Sequence, residues 1–293
     1  MTARFKVAIL GSTGMLGSMV RRFLSSQPEY DLRTYSRSAL EAALINVADL
    51  FQLISGQDYV INCIGVIKPR IDEKNPASVR DAIQVNAQFP YTLAHAAEWA
   101  KVRVLQIATD CVYSGREGNY REDSLHDATD IYGKTKSLGE VVSPAVRHLR
   151  CSIIGPEPAG RPRDSLLEWF LGQPKGAQVK GFTNHYWNGI TTLAFAKLCH
   201  GIMREGIELP PLLHIVPQKT ASKAGLLDQF RYSFSRMDIT VDEVAAPTAI
   251  NRTLSTCCPI ANIHLWKAAG YPYQPTIQQM VHELVAYEKV VAR

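Results

Sequence analysis

Tyr132 and Lys136 stand four residues apart in IYGKTKSLGE, so a helical segment would present both side chains on one face. A phenol with its ordinary pKa of about 10 is a poor acid–base group at neutral pH, and a neighbouring ammonium stabilises its phenolate. The same lysine could hold a ribose. Upstream, VRVLQIAT ends on Thr109, whose hydroxyl could hydrogen-bond a substrate carbonyl. A Tyr–Lys pair at this spacing is also common on exposed helices. It gains weight from a second feature at the start of the chain.

Gly11-Ser12-Thr13-Gly14-Met15-Leu16-Gly17 follows the apolar run FKVAIL and precedes a helical pattern. A backbone that must turn sharply and lie close to a pyrophosphate has no room for Cβ atoms at such points. The first N–H groups of the following helix then face the phosphates. This context, strand before and helix after, makes Gly11, Thr13, Gly14, Met15, Leu16 and Gly17 candidate dinucleotide contacts. An acidic residue that would take a ribose 2′-OH is missing between Thr34 and Leu40, where Ser36 and Arg37 stand instead. A hydroxyl and a planar guanidinium suit a 2′-phosphate, so NADPH is expected, with NADH as the alternative. Asp49 and Leu50, ahead of the third strand, are expected near the adenine.

These residues need elements to position them. Strands are expected at 5–10, 31–35, 59–65, 102–108 and 146–154, with helices after the glycine loop, over 80–100 and over 130–142. Strands alternating with helices give an α/β fold with a Rossmann-like, doubly wound parallel sheet. After residue 155 the pattern becomes irregular, beginning with the loop GPEPAGRPRD. The expected division is an NAD(P)-binding domain at 1–155 and a smaller substrate-binding region at 156–293, parts of which fold back onto the first.

Composition limits the function classes. The 293 residues are 46% hydrophobic, enough to bury a full core, which excludes a disordered or small disulfide-stapled chain. A net charge of +5, spread along the chain without basic blocks, argues against nucleic-acid binding. The longest apolar run is nine residues, 59–67, too short to span a membrane. The six cysteines show no CxxC and no zinc spacing, so reduced thiols and a cytoplasmic location are expected, with no metal.

GSTGMLG, NCIG at 62–65, ATDCVYSG at 108–115, YGKTKSLGE at 132–140 and LRCSIIGPE at 149–157 together resemble the extended short-chain dehydrogenase/reductases. Within them the chain is most similar to the dTDP-4-dehydrorhamnose reductase family. The likeness is strong over 5–157 and continues weakly through NGITT (188–192) and NRTLST (251–256). It implies NAD(P)H-dependent reduction of the 4-keto group of a nucleotide-linked 6-deoxysugar. Thr109, Tyr132 and Lys136 fall on the family's catalytic positions, and Cys63, Ile64 and Gly65 fall beside the cofactor. Two segments depart from the family pattern, VIKPRIDEKNP (66–76) and FTNHYWNGITT (182–192). They place Lys68 and Arg70 near the cofactor or the sugar, and make Asn184, His185 and Trp187 candidates for the sugar pocket, together with Asp110 and Cys111 beside Thr109. Arg161 and Arg163, with Lys175 and Lys180, are expected to meet the substrate diphosphate, because an unpartnered buried diphosphate would be costly.

Related activities are expected to leave different marks. A 4,6-dehydratase typically carries Asp-Glu directly after the threonine, and Cys111 cannot do a carboxylate's work. A C4 epimerase shares the hydride chemistry but recycles its cofactor, which gives Arg37 no purpose. A cofactor-binding regulatory subunit without turnover would not need Thr109, Tyr132 and Lys136 together. A homodimer is also an expectation.

Overall fold

The computed structural model describes residues 5–291. Its first half alternates strand and helix: β1 (Phe5–Leu10), α1 (Met15–Ser25), β2 (Tyr30–Tyr35), α2 (Val47–Ile54), β3 (Tyr59–Asn62), α3 (Pro76–Ile83), α4 (Phe89–Ala100), β4 (Arg103–Ala108), α5 (Ile131–Leu138) and β5 (Val146–Arg150). The second half is more broken: β6 (Ile153–Ile154), α6 (Leu166–Leu171), β7 (Gln178–Phe182), β8 (His185–Trp187), β9 (Ile190–Thr191) and α7 (Thr192–Glu205). It ends with β10 (Leu212–His214), β11 (Ala221–Ser222), α8 (Lys223–Ser233), β12 (Thr240–Val244), β13 (Ile250–Asn251), α9 (Pro259–Ala268) and α10 (Ile277–Val291).

Six strands form one parallel sheet in the order β10-β5-β4-β3-β1-β2. The central strands β1 and β3 are buried on both faces and so read as nearly continuous apolar runs, whereas the edge strand β2 is largely exposed. Alternate residues serve the two sides. Val7, Ile9, Ile61, Leu105 and Leu149 join the core beneath α1 and α7. Ala8, Leu10, Val60, Val104 and Val146 join the core beneath α2 and α4. The chain passes from β1 outward to β2, then back across to β3 on the other side of β1. That reversal opens a crevice at the carboxyl ends of β1 and β3, the place where such sheets bind ligands.

Four expected elements change. The strand expected at 59–65 ends at Asn62. The helix expected at 80–100 starts at Pro76, capped by Asn75, and is interrupted by one π turn at Gln84–Gln88. The strand expected at 146–154 is broken at Cys151–Ser152, and its last two residues pair with β9 instead. The helix expected at 130–142 stops at Leu138, with Gly139 as its C-cap. The sixth strand of the main sheet, β10, and the helix α7 packed against α1 both come from beyond residue 155. The small sheets β11-β8-β13 and β12-β7 lie outside the main sheet.

Candidate functional site

The loop between β1 and α1 folds as a cradle. Gly11 has φ +75°, and a Cβ there would come within 3.0 Å of Ile64 Cγ1 and 3.2 Å of its amide nitrogen. A Cβ on Gly17 would sit 2.2 Å from the Gly11 carbonyl oxygen, so the start of α1 can pack this closely only with glycine. Gly11 and Ser12 donate to the Tyr35 carbonyl, which ties the cradle to the end of β2. The residues present therefore fit a dinucleotide pyrophosphate at the amino end of α1.

Two cavities meet here. One, of about 700 Å³, runs from Gly11, Thr13 and Gly14 past Arg37 and the 40–44 turn to Arg80 and Gln84. The other, of about 310 Å³, is lined by Met15, Leu16, Thr109, Asp110, Cys111, Tyr132 and Lys136. Gly14, Cys63, Ile64, Gly65, Val66, Arg70 and Arg161 line both, so the two form one cleft.

Tyr132 and Lys136 leave the same face of α5, whose amino end is capped by Asp130 accepting from the Gly133 amide at 2.8 Å. Lys136 is 8% exposed and its Nζ donates to the Ile107 carbonyl on β4 at 3.4 Å. Thr109, one residue past β4, accepts from the Cys111 amide at 3.2 Å and donates to Asp110 Oδ1 at 3.3 Å. Burial pushes the Tyr132 phenol above its ordinary value, the nearby Cys111 adds to this, and the Thr109 hydroxyl opposes it. Burial lowers the Lys136 ammonium, against the pull of Glu140. Asp110 is raised by burial, with the Arg252 guanidinium opposing. The thiols of Cys63 and Cys111 are pushed up to about 12 by burial, so they line the cleft as small apolar groups. The expectation that Lys136 would lower the Tyr132 phenol is not met: the lysine donates to the Ile107 carbonyl, and burial outweighs every opposing influence on the phenol. The arrangement can hold a carbonyl between the Thr109 hydroxyl and a protonated phenol.

Several sequence candidates sit elsewhere. Leu50 is fully buried in the core beneath α2, and Asp49 is bonded to its cap Asn46 beside a shallower hollow. The residues that line the expected adenine end are instead Leu40, Glu41, Ala42, Ala43 and Leu44. Ser36 bonds Ser38 and does not line the cleft, whereas Arg37 does, steadied by Glu41 at 2.7 Å. Lys68 reaches away to Asp130 at 2.9 Å, an exposed pair that braces α5. Arg163 pairs with Glu168 outside the cleft, and Lys175 and Lys180 are exposed beyond it. Asn184 and His185 bond the 246–248 backbone, and Trp187 donates to the hydroxyl of Ser152, a residue that lines the smaller cavity.

Sequence reasoning missed Asn86, whose amide brackets the backbone of Val66 with bonds of 2.8 and 2.9 Å and so shapes the loop after β3. The interrupted helix gave a signal only in retrospect, since a π turn often marks such a site. Glu157, Asp164 and Arg252 were also missed as site residues, although all three lie within quoted segments.

The RmlD substrate binding domain family matches residues 5–154, the span that holds the glycine loop, Thr109, Tyr132 and Lys136. The chain belongs to that family. Among individual relatives, methionine adenosyltransferase 2 subunit beta of Xenopus tropicalis is 29% identical over 141 residues, 46% of this chain. The match covers 41% of that relative's length, less than half. The solved structure of a dTDP-4-dehydrorhamnose reductase from Clostridium acetobutylicum superposes with a TM-score of 0.77 at 18% identity, covering 97% of this chain and all of the other. The dTDP-4-dehydrorhamnose reductase of Bacillus anthracis, solved in complex with NADP, superposes equally well at 16% identity, over 97% of this chain and 99% of its own. The fold of this RmlD-family chain is therefore shared along nearly its whole length.

Proposed function

We propose that this RmlD-family chain is an NADPH-dependent reductase of the 4-keto group of a nucleotide-linked 4-keto-6-deoxysugar. The carrying observation is that Thr109, Tyr132 and Lys136 line one cavity continuous with the glycine cradle. Gly11, Gly14 and the amino end of α1 would hold the pyrophosphate, Arg37 the 2′-phosphate, and Lys136 the nicotinamide ribose. NADPH supplies the hydride when bound. Tyr132 donates its phenolic proton to the carbonyl oxygen as that oxygen gains charge, and the Lys136 ammonium stabilises the resulting phenolate. Thr109 orients the carbonyl oxygen toward Tyr132. The division at residue 155, a homodimer and a cytoplasmic location belong to the same reading. No described helix is long and apolar enough to cross a membrane.

A second reading, a cofactor-binding regulatory subunit, is favoured by the similarity to methionine adenosyltransferase 2 subunit beta. A C4 epimerase is the third. Absorbance at the nicotinamide band, with a panel of 4-keto nucleotide sugars, separates them. Net NADPH consumption is expected. Isomerised sugar without net consumption would mean an epimerase, and NADPH binding without turnover would mean the regulatory subunit.

A further inference from the structure

Four arginines line the larger cavity, and three are paired with carboxylates: Arg37 with Glu41, Arg70 with Asp164, and Arg80 with Asp81. Arg161 is different. Among the described residues no carboxylate lies within 4.0 Å of its guanidinium, and its one side-chain hydrogen bond runs from Nη2 to Thr13 Oγ1 at 2.7 Å. Thr13 belongs to the glycine cradle, so a cation from the 155–165 loop is held over the amino end of α1. A guanidinium has five donors in a planar fork, and four here have no side-chain partner. The same loop brings Glu157 and Asp164 to the wall of the reaction cavity, and the Arg70–Asp164 pair at 2.8 Å fastens it to the opposite side.

We propose that Arg161 is a pyrophosphate-binding residue, carried on the loop that walls the reaction cavity, so that dinucleotide binding fixes that wall. This rests on the dinucleotide reading above and replaces the expectation that Arg161 serves the substrate's diphosphate. Arg161 stays within reach of Thr13 while its free donors take a phosphate oxygen, a contact between opposite charges that is stronger than its present bond to an uncharged hydroxyl. The loop, already tied by Thr13 and Arg70, is then held more firmly at its Arg161 end by the phosphate. Substrate therefore meets a stiffer wall once the cofactor has bound.

Calorimetric titration of the full chain with three ligands tests this. NADPH and adenosine 5′-diphosphoribose carry the pyrophosphate, whereas adenosine 2′-monophosphate does not. Arg161→Ala should weaken the first two by roughly tenfold or more and leave the third within twofold. Arg37→Ala should weaken NADPH and the 2′-monophosphate and spare adenosine diphosphoribose. An unchanged Kd for adenosine diphosphoribose in Arg161→Ala overturns the proposal, and so does an equal loss on all three ligands. If the unmutated chain binds none of them, the dinucleotide reading itself fails, a separate result. The wall is read by trypsin cleavage after the exposed Arg163. Saturating adenosine diphosphoribose should slow it severalfold in the unmutated chain and not in Arg161→Ala. Equal cleavage with and without ligand in the unmutated chain overturns the coupling.

Discussion

The Tyr132 phenol, raised by burial, stays protonated at neutral pH, and that is the form able to donate to a ketone oxygen. Tyr132→Phe should therefore lower kcat by about 10²–10⁴ while NADPH affinity is kept, because only the proton donor is removed. Stopped-flow reduction and equilibrium titration check the two halves, and retained turnover would take Tyr132 out of the mechanism. Asp110 is 7% exposed, and its raised pKa sets the sign of a stability effect. A carboxyl whose folded pKa exceeds the unfolded value of about 3.9 favours the folded state at low pH, and that contribution is lost as pH rises through the folded pKa. Asp110→Asn, which removes the charge at constant size, should raise the Tm at pH 7 and change it little near pH 3. A lower Tm at pH 7 would mean that the attraction of Arg252 outweighs burial. A charge kept at such a cost beside Thr109 is the kind of trade expected at a functional site.

At the scale of elements, α5 is short and depends on its amino end. Asp130 caps the Gly133 amide and pairs with Lys68, while Glu73 Oε1 accepts from the Ile131 amide at 2.9 Å. The segment 66–76 thus grips the helix that carries Tyr132 and Lys136. Asp130→Ala should cost about 1 kcal/mol of stability, as the loss of a cap does, and should lower kcat with little change in NADPH affinity. Lys68→Ala should cost at most a few tenths of that, because the pair is exposed. Denaturant melts of both variants measure the difference, and equal losses would place the main grip in the ion pair. The π turn at Gln84–Gln88 acts similarly from the other side, since it aims Asn86 at the Val66 backbone. Apolar periodicity records a helix here but not the inserted turn, because the buried face continues through it.

At the scale of the molecule, Arg150 joins the two halves. It is fully buried at the carboxyl end of β5, where it bonds Glu140, Tyr113, His126 and His214. His214 lies on β10 and bonds the Ser255 carbonyl through Nδ1 at 2.7 Å, so one imidazole connects the sheet edge to the 251–256 segment. Burial lowers His214 to about 4, with the Arg150 charge acting in the same direction. A histidine whose folded pKa is depressed gives stability that is present above about 6.5 and lost as pH falls toward the folded value. The Tm should therefore drop between pH 6.5 and about 4. His214→Gln, whose amide can still accept from Arg150 and donate to Ser255, should flatten that drop. An unchanged pH profile in the variant would assign the acid sensitivity to another group.

Local patterns determined what depends on neighbours in the chain. Backbone approach requires glycine wherever it occurs, so the cradle at Gly11–Gly17 was legible, as was the shared face of Tyr132 and Lys136 from the helical repeat. The parallel sheet followed from alternating apolar runs buried on both sides. Only tertiary structure decided where exposed charges point. Lys68, Arg161 and Arg163 are close in character along the chain, yet one braces α5, one reaches the cradle 148 residues away, and one turns outward to Glu168. A long charged side chain is placed by the partner it finds across the fold, and neither its type nor its sequence neighbours encode that partner.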